Sequence, residues 1–211
     1  MDRHDEGDAT GSGPDGAEPV MKVARWEGWN GAGREHCLLW RRNGAILVES
    51  VVQGSRGGSP YGARYAIECA PDWTVRSLKI ASVSGPRLHI LSDGNRHWLD
   101  FVRGQRSLDH LDGCVDVDVA MTPLTNMLPI KRLGLAEGQG ADIRVAYVPL
   151  PTDDPVEAWS VEAVEQRYTC IEPERRYLYE GRFRDFSAEL EIDSDGFVTD
   201  YPGTFRRLHE E

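Results

Sequence analysis

The sequence is poor in most of what would mark it as a membrane, metal or nucleophile-driven protein. Its longest unbroken apolar runs are four residues, such as Ala45 to Val48 and Val145 to Val148. A membrane-spanning helix needs roughly 20. The opening stretch has no apolar segment of the kind an export signal carries, so a cytoplasmic protein is expected. The four cysteines (Cys37, Cys69, Cys114, Cys170) are widely spaced and form no CxxC, so they read as free, half-buried core residues. The six histidines show no ligand spacing and no HExxH, so neither a metal nor another cofactor is expected. There is no G-x-S-x-G elbow, and the glycines from Gly54 to Gly58 lack the lysine and following helix of a phosphate loop. Positive charge is also short, with 24 basic against 35 acidic residues and a net −11. Nucleic-acid backbones and anionic membrane surfaces both select the opposite balance.

Much of the acidity is local. Residues 1–20 hold six acidic residues, one basic residue, four glycines and two prolines, with little to bury. Residues 1–21 are therefore expected to form a disordered acidic tail. The tail carries −5 of the charge, which leaves −11 − (−5) = −6 for the rest. Residues 22–211 suffice for a single domain with a real core, burying roughly 70% of the surface of the unfolded chain.

From residue 22 onward the hydrophobic period is two, not 3.6. Phe186, Ala188, Leu190 and Ile192 alternate with Ser187, Glu189 and Glu191; Val115, Val117 and Val119 alternate with Asp116 and Asp118. Ala63, Tyr65, Ile67 and Cys69 follow the same rule, as do Ile143, Val145 and Tyr147. Such strands bury one face and show the other to water or a cavity. Asn43-Gly44, Gly57-Gly58, Asp93-Gly94, Asp112-Gly113 and Asp195-Gly196 punctuate them as turns. Many short strands with regular turns predict a mainly β sandwich or barrel. Two segments compete for helix. Pro155 to Arg167 reads as either helix or strand. Met121 to Pro129 suits one helical turn, capped by Thr122, with Pro123 first and Pro129 as its stop.

A weak internal repeat is also visible. Arg64-Tyr65, Leu88-x-Ile90 and Ser92-Asp93-Gly94 match Arg167-Tyr168, Leu190-x-Ile192 and Ser194-Asp195-Gly196, with Trp98 and Tyr201 beyond the turns. It suggests two β meanders, at about 35–105 and 140–208, closing around a shared interior.

Asp116 and Asp118 fall two residues apart on one strand face, with Cα atoms roughly 6.5–7 Å apart. Paired carboxyls at such a distance serve glycosidases, but those flank the bond from opposite sides. A solvated or Arg-paired face is the plainer reading. The six tryptophans mostly suit a core, although aromatic-lined cavities are the usual form of a small-ligand site.

The run from Gly113, Gly-Cys-Val-Asp-Val-Asp-Val-Ala-Met-Thr-Pro-Leu-Thr-Asn-Met-Leu-Pro-Ile-Lys-Arg-Leu, resembles the signature of a bacterial family described as glycolipid-binding proteins, formerly a domain of unknown function. Asp118, Thr122-Pro123, Thr125-Asn126, Leu128-Pro129-Ile130 and Arg132 carry the match. Tyr65-x-Ile67 with Trp73, Glu165 to Thr169, and Ala188 to Asp193 with Asp200-Tyr201-Pro202 extend it over about residues 24–208. The resemblance implies a large curved antiparallel sheet, a half-open barrel or corner similar to lipoprotein carriers, with one or two short helices and an apolar interior. It also implies a non-enzymatic protein whose partner is an amphipathic small molecule, a glycolipid or acyl lipid. That functional name rests on structural analogy.

Within the motif, Thr125 and Asn126 suit bonding of freed backbone groups, and Arg132 suits pairing with Asp118. Alternatively Asp118, Asn126 and Arg132 form the polar floor of a ligand cavity. Trp40, Tyr65, Trp98, Asp118, Asn126, Arg132 and Tyr168 are the candidate ligand-binding residues. Two other readings compete. One is a hydrolase or isomerase acting on a lipid- or sugar-like substrate through Asp116 or Asp118. The other is an interaction module that uses a sheet edge.

Overall fold

A computed structural model describes residues 21–56, 59–85, 87–150 and 159–209. The acidic tail, the Gly57-Gly58 turn and the first part of the Pro155 segment lie outside the described residues. The strands are β1 (Lys22–Gly28), β2 (Gly33–Arg42), β3 (Ala45–Arg56), β4 (Ser59–Cys69), β5 (Val75–Ser82), β6 (Arg87–Ser92), β7 (Trp98–Asp100) and β8 (Arg106–Ser107) in the first half. The second half holds β9 (Asp116–Val119), β10 (Gly140–Val148), β11 (Glu162–Glu172), β12 (Arg176–Gly181), β13 (Phe186–Ile192), β14 (Val198–Tyr201) and β15 (Phe205–Arg207). One short helix, α1 (Met127–Leu133), follows a 3-10 turn over Leu124–Asn126.

All fifteen strands form one sheet in the order β8-β7-β6-β5-β4-β3-β2-β1-β15-β14-β13-β12-β11-β10-β9. The sheet is large and curved and does not close into a barrel; β8 and β9 are its ends. Each half is a meander, and the two join where β1 pairs antiparallel with β15. At the tightest hairpin, Asn43 and Gly44 both take positive φ (50° and 81°) between the paired Arg42 and Ala45. That is the primed two-residue turn the dipeptide favours.

One pair departs from the antiparallel expectation: β9 and β10 run parallel. Parallel neighbours need a crossover of a dozen or more residues. The motif supplies it through residues 120–139. Pro129 does not stop the helix, because it sits in the first helical turn, where the missing N–H would have no intrahelical partner. The helix runs on to Gly134, left-handed at φ 54°, so Ile130 is helical and the next strand starts only at Gly140. The ambiguous segment resolves, where described, into strand from Glu162.

The inner face of each half carries its own hydrophobic cluster. In the first half Trp26, Val48, Ile67, Leu78, Ile90 and Trp98 pack around Leu111, Val117, Met121, Leu124 and Leu128. The inner space of this half is therefore filled by the chain's own motif segment. The second cluster is smaller and rich in tyrosine: Tyr147, Tyr168, Tyr177, Tyr179 and Tyr201 with Val145, Leu190 and Ile192. All four cysteines are buried free thiols.

Candidate functional site

The motif crosses between the two clusters. Val117 and Val119 face the first cluster, while Asp116 and Asp118 face the helix and β11. Asp116 is thus fully covered and Asp118 half-buried.

After β9 the chain turns back on itself, so each later residue reaches an earlier point of the strand. Thr125 Oγ1 accepts the Val119 N–H (3.2 Å) and donates to Asp118 Oδ1 (3.3 Å). Arg132, further along, reaches Asp116, with Nε on Oδ1 (3.0 Å) and Nη2 on Oδ2 (2.6 Å). This corrects the expected Asp118–Arg132 pair: the returning helix places the guanidinium at the start of β9, not its middle. Asp116 is sealed, with no side-chain exposure. Burial raises its pKa, and Arg132 opposes the rise.

Asp118 instead takes Gln166 Nε2 on Oδ2 (2.6 Å). Burial also pushes its carboxyl up, against the bonds from Gln166 and Thr125. Asp118 lies in a cleft of about 230 Å³ at the joint of the two halves, with Asn126, Tyr179, Arg184, Phe186 and Tyr201. Asn126 is held by two bonds, Nδ2 to Pro123 O (3.2 Å) and Oδ1 from the Tyr168 hydroxyl (2.8 Å). The wall is a chain of rings, with Tyr168 buried behind it. Tyr168 meets Tyr179 at 5.3 Å, Tyr179 meets Tyr201 and Phe186 at 6.2 Å, and Tyr201 meets Phe205 at 6.3 Å. Tilted and edge contacts of this range add to area burial and stiffen the wall.

A second cleft of about 160 Å³ adjoins the first, sharing Ala120, Thr204 and Phe205 with it. Glu35 lines it, with Trp29, Arg34 and Tyr61. Three hydroxyls donate to Glu35 Oε1: Tyr65 (2.5 Å), Ser50 (2.7 Å) and Thr122 (3.0 Å). Oε2 has no hydrogen-bond partner among the described residues. Burial raises the carboxyl to about 7, and the three hydroxyls only partly offset it. Thr122 joins the clefts physically, since it lines the first and donates to the acid of the second.

Of the candidate ligand residues, Asp118 and Asn126 line the first cleft, Tyr168 is buried behind it and donates to Asn126, and Tyr65 belongs to the Glu35 network. The other three lie apart. Trp98 is fully buried and its indole N–H donates to Cys114 O (3.0 Å). Arg132 is engaged by Asp116, and Trp40 lies half-buried outside both clefts. Sequence reasoning missed Glu35, Tyr179, Arg184 and Gln166. Glu35 had a signal: it falls in phase with the buried Cys37 and Leu39, so a charge stood on an apolar strand face. Among the described residues no group of His, Cys, Asp and Glu is arranged to hold a metal. No described helix is long and apolar enough to cross a membrane.

An open curved sheet of two meanders, with polar clefts where they join, defines a half-open β protein. The chain matches the family described as "Putative glycolipid-binding" over residues 23–207, and it belongs to that family. A solved structure, of a DUF1089-family protein from Pseudomonas aeruginosa, is similar at 32% identity and a TM-score of 0.68, over 98% of this chain and 100% of that one. No curated protein matches.

Proposed function

We propose that the chain is a non-enzymatic binding protein for an amphipathic molecule with a hydroxyl-rich head, of glycolipid kind. The head sits in the joined clefts between the halves. The observation that carries this is the ring wall of Tyr179, Phe186, Tyr201 and Phe205 beside the Asp118 carboxyl in one cleft. Ring faces suit the apolar faces of a sugar, and carboxyl and amide oxygens suit its hydroxyls. Glu35, buried at the edge of the adjoining cleft with Oε2 unpartnered among the described residues, adds polar character to that wall. Because its own chain fills the inner space of the first half, the ligand's apolar tail is not swallowed there.

Native mass spectrometry of the chain, purified gently from the organism that encodes it, tests this reading. A co-purifying amphiphile that carries a sugar or polyol head, and that is lost in Asp118→Asn, is expected. Repeated absence of any bound mass would overturn the reading.

One observation keeps the hydrolase reading as the second. Asp118 combines a cleft position with a raised pKa, the pairing a general acid requires. Asp116 offers no help in that reading, since Arg132 and burial enclose it. Turnover of an alkyl glycoside by the wild-type chain, abolished in Asp118→Asn, would favour it over simple binding.

A further inference from the structure

The outer face of the first half carries a separate groove that folding alone leaves unexplained. Strand register lines up one row of side chains across six strands: Arg25, His36, Val51, Arg64, Ala81 and Arg87. Six strands span roughly 24 Å at the usual spacing. The neighbouring row runs Leu38, Glu49, Ala66, Lys79 and His89. Over these rows lie two overlapping clefts of about 560 and 780 Å³, which share His36, Val51, Arg64, Ala81 and Arg87. Val102, on the turn between β7 and β8, lines one side.

Two features of this groove point to a ligand. Val51 is 58% exposed and Val102 53% exposed, so the groove shows apolar side chains to water. Around them stand Arg25, Arg34, Arg64, Lys79 and Arg87. None of the five has an ion-pair partner among the described residues, although several other arginines do. Among the described residues Glu49 is the one exposed carboxylate lining the groove; Glu35 also borders it, but its carboxyl is buried in the hydroxyl network described above. In a chain of net charge −11 this is a local excess of positive charge over an apolar floor. Within the row, small Ala81 separates Arg64 from Arg87, leaving a notch between two guanidiniums.

We propose that this groove binds a monomeric single-chain amphiphile with an anionic head, seated over Ala81 between Arg64 and Arg87, its chain lying over Val51, Ala66 and Leu38. The two rows lie on the opposite sheet face from the seam clefts, although the larger groove cleft meets the Glu35 cleft at Arg34, Glu35, Val52 and Gln53, and the site takes a different head chemistry. The volumes fall in the range of small-ligand sites. A monomer is favoured over a lipid surface because charges beyond roughly 8–10 Å are screened. A single bound anion meets only the arginines beside it, whereas an extended anionic surface also meets the other charges of that face, Glu49 among them.

Binding of decanoate, decanol and decyltrimethylammonium, all below their aggregation limits, tests the proposal by calorimetry. Decanoate is expected to bind at least tenfold more tightly than decanol, with the preference shrinking as salt rises. The double variant Arg64→Gln/Arg87→Gln should lose the preference yet keep decanol affinity, and Val51→Asp should weaken both. Amide shifts of the wild-type chain should move at Val51, Ala66 and Ala81, which decides the matter even if a variant folds poorly. Equal affinity for decanoate and decanol would overturn the proposal. So would shifts confined to Tyr179, Tyr201 and Phe205, or binding to anionic vesicles without binding of the monomer.

Discussion

The two meanders use the same strand grammar and fill their inner faces differently. Strands β4, β6 and β7 carry Tyr65, Leu88 with Ile90, and Trp98; strands β11, β13 and β14 carry Tyr168, Leu190 with Ile192, and Tyr201 in the same succession. Yet Trp98 is sealed under Cys114, while Tyr201 borders an open cleft. The first half receives Met121, Leu124 and Leu128 from the motif and Leu111 from the turn just before it. The second receives a tyrosine lining whose rings stop short of closing it. Alternation decides which face of a strand turns inward. What covers that face depends on where a distant segment returns.

Four experiments press on this contrast, beginning with the strongest. Arg132 ties the crossing segment to the second half through a buried pair. Arg132→Ala leaves Asp116 sealed and uncompensated, and should cost about 3–5 kcal/mol in urea unfolding. The double variant Asp116→Asn/Arg132→Met should recover much of that loss; if it does not, the pair is not what holds the motif.

Next comes the acid in the first half. Glu35 has its folded pKa raised from the ordinary 4.5 to about 7, so between those values the folded chain keeps a proton that the unfolded chain has released. Its contribution to stability is full below pH 4.5 and is lost as pH rises through 7. The swing amounts to about 3 kcal/mol, at 1.36 kcal/mol per pKa unit. Denaturation midpoints of the wild type should fall from pH 5 to pH 8, and Glu35→Gln should flatten that fall. Asp116 and Asp118, whose carboxyls are also raised by burial, act with the same sign.

Smaller effects separate the paired tyrosines. Tyr65→Phe removes a donor from Glu35, and Tyr168→Phe removes one from Asn126. Each should cost about 1–3 kcal/mol, the penalty of a buried polar group that loses its partner. Only Tyr65→Phe should alter the pH dependence, because only its partner titrates. Equal pH profiles would erase the distinction between the halves. Last, Arg167→Gln removes exposed contacts to Asp142 and Glu180 and should change stability by under about 1 kcal/mol.

Much of the fold was legible because burial on one face imposes a period of two, and because Asn-Gly and Asp-Gly fix hairpins. The parallel β9–β10 pair was not, since it is set by a crossover helix whose proline sits in the first turn instead of ending it. The site was legible in part. The motif singled out Asp118 and Asn126 as candidates and the Glu165 to Thr169 stretch singled out Tyr168, and the fold sets the three near one another. The Asp118–Arg132 pairing failed because sequence distance does not say how far back a returning helix reaches. Glu35 was hidden because its three hydroxyl partners come from β3, β4 and the motif, which only the folded sheet assembles. The groove was hidden behind the net charge, which averages a basic row over an acidic chain.

The seam reading is tested most directly by amide-shift mapping during titration with octyl glucoside below its micelle concentration. Saturable shifts are predicted for residues 118–126 and at Tyr179, Tyr201 and Phe205, and these should disappear in Asp118→Asn. No saturable shift at the seam, or an identical response in Asp118→Asn, would contradict it.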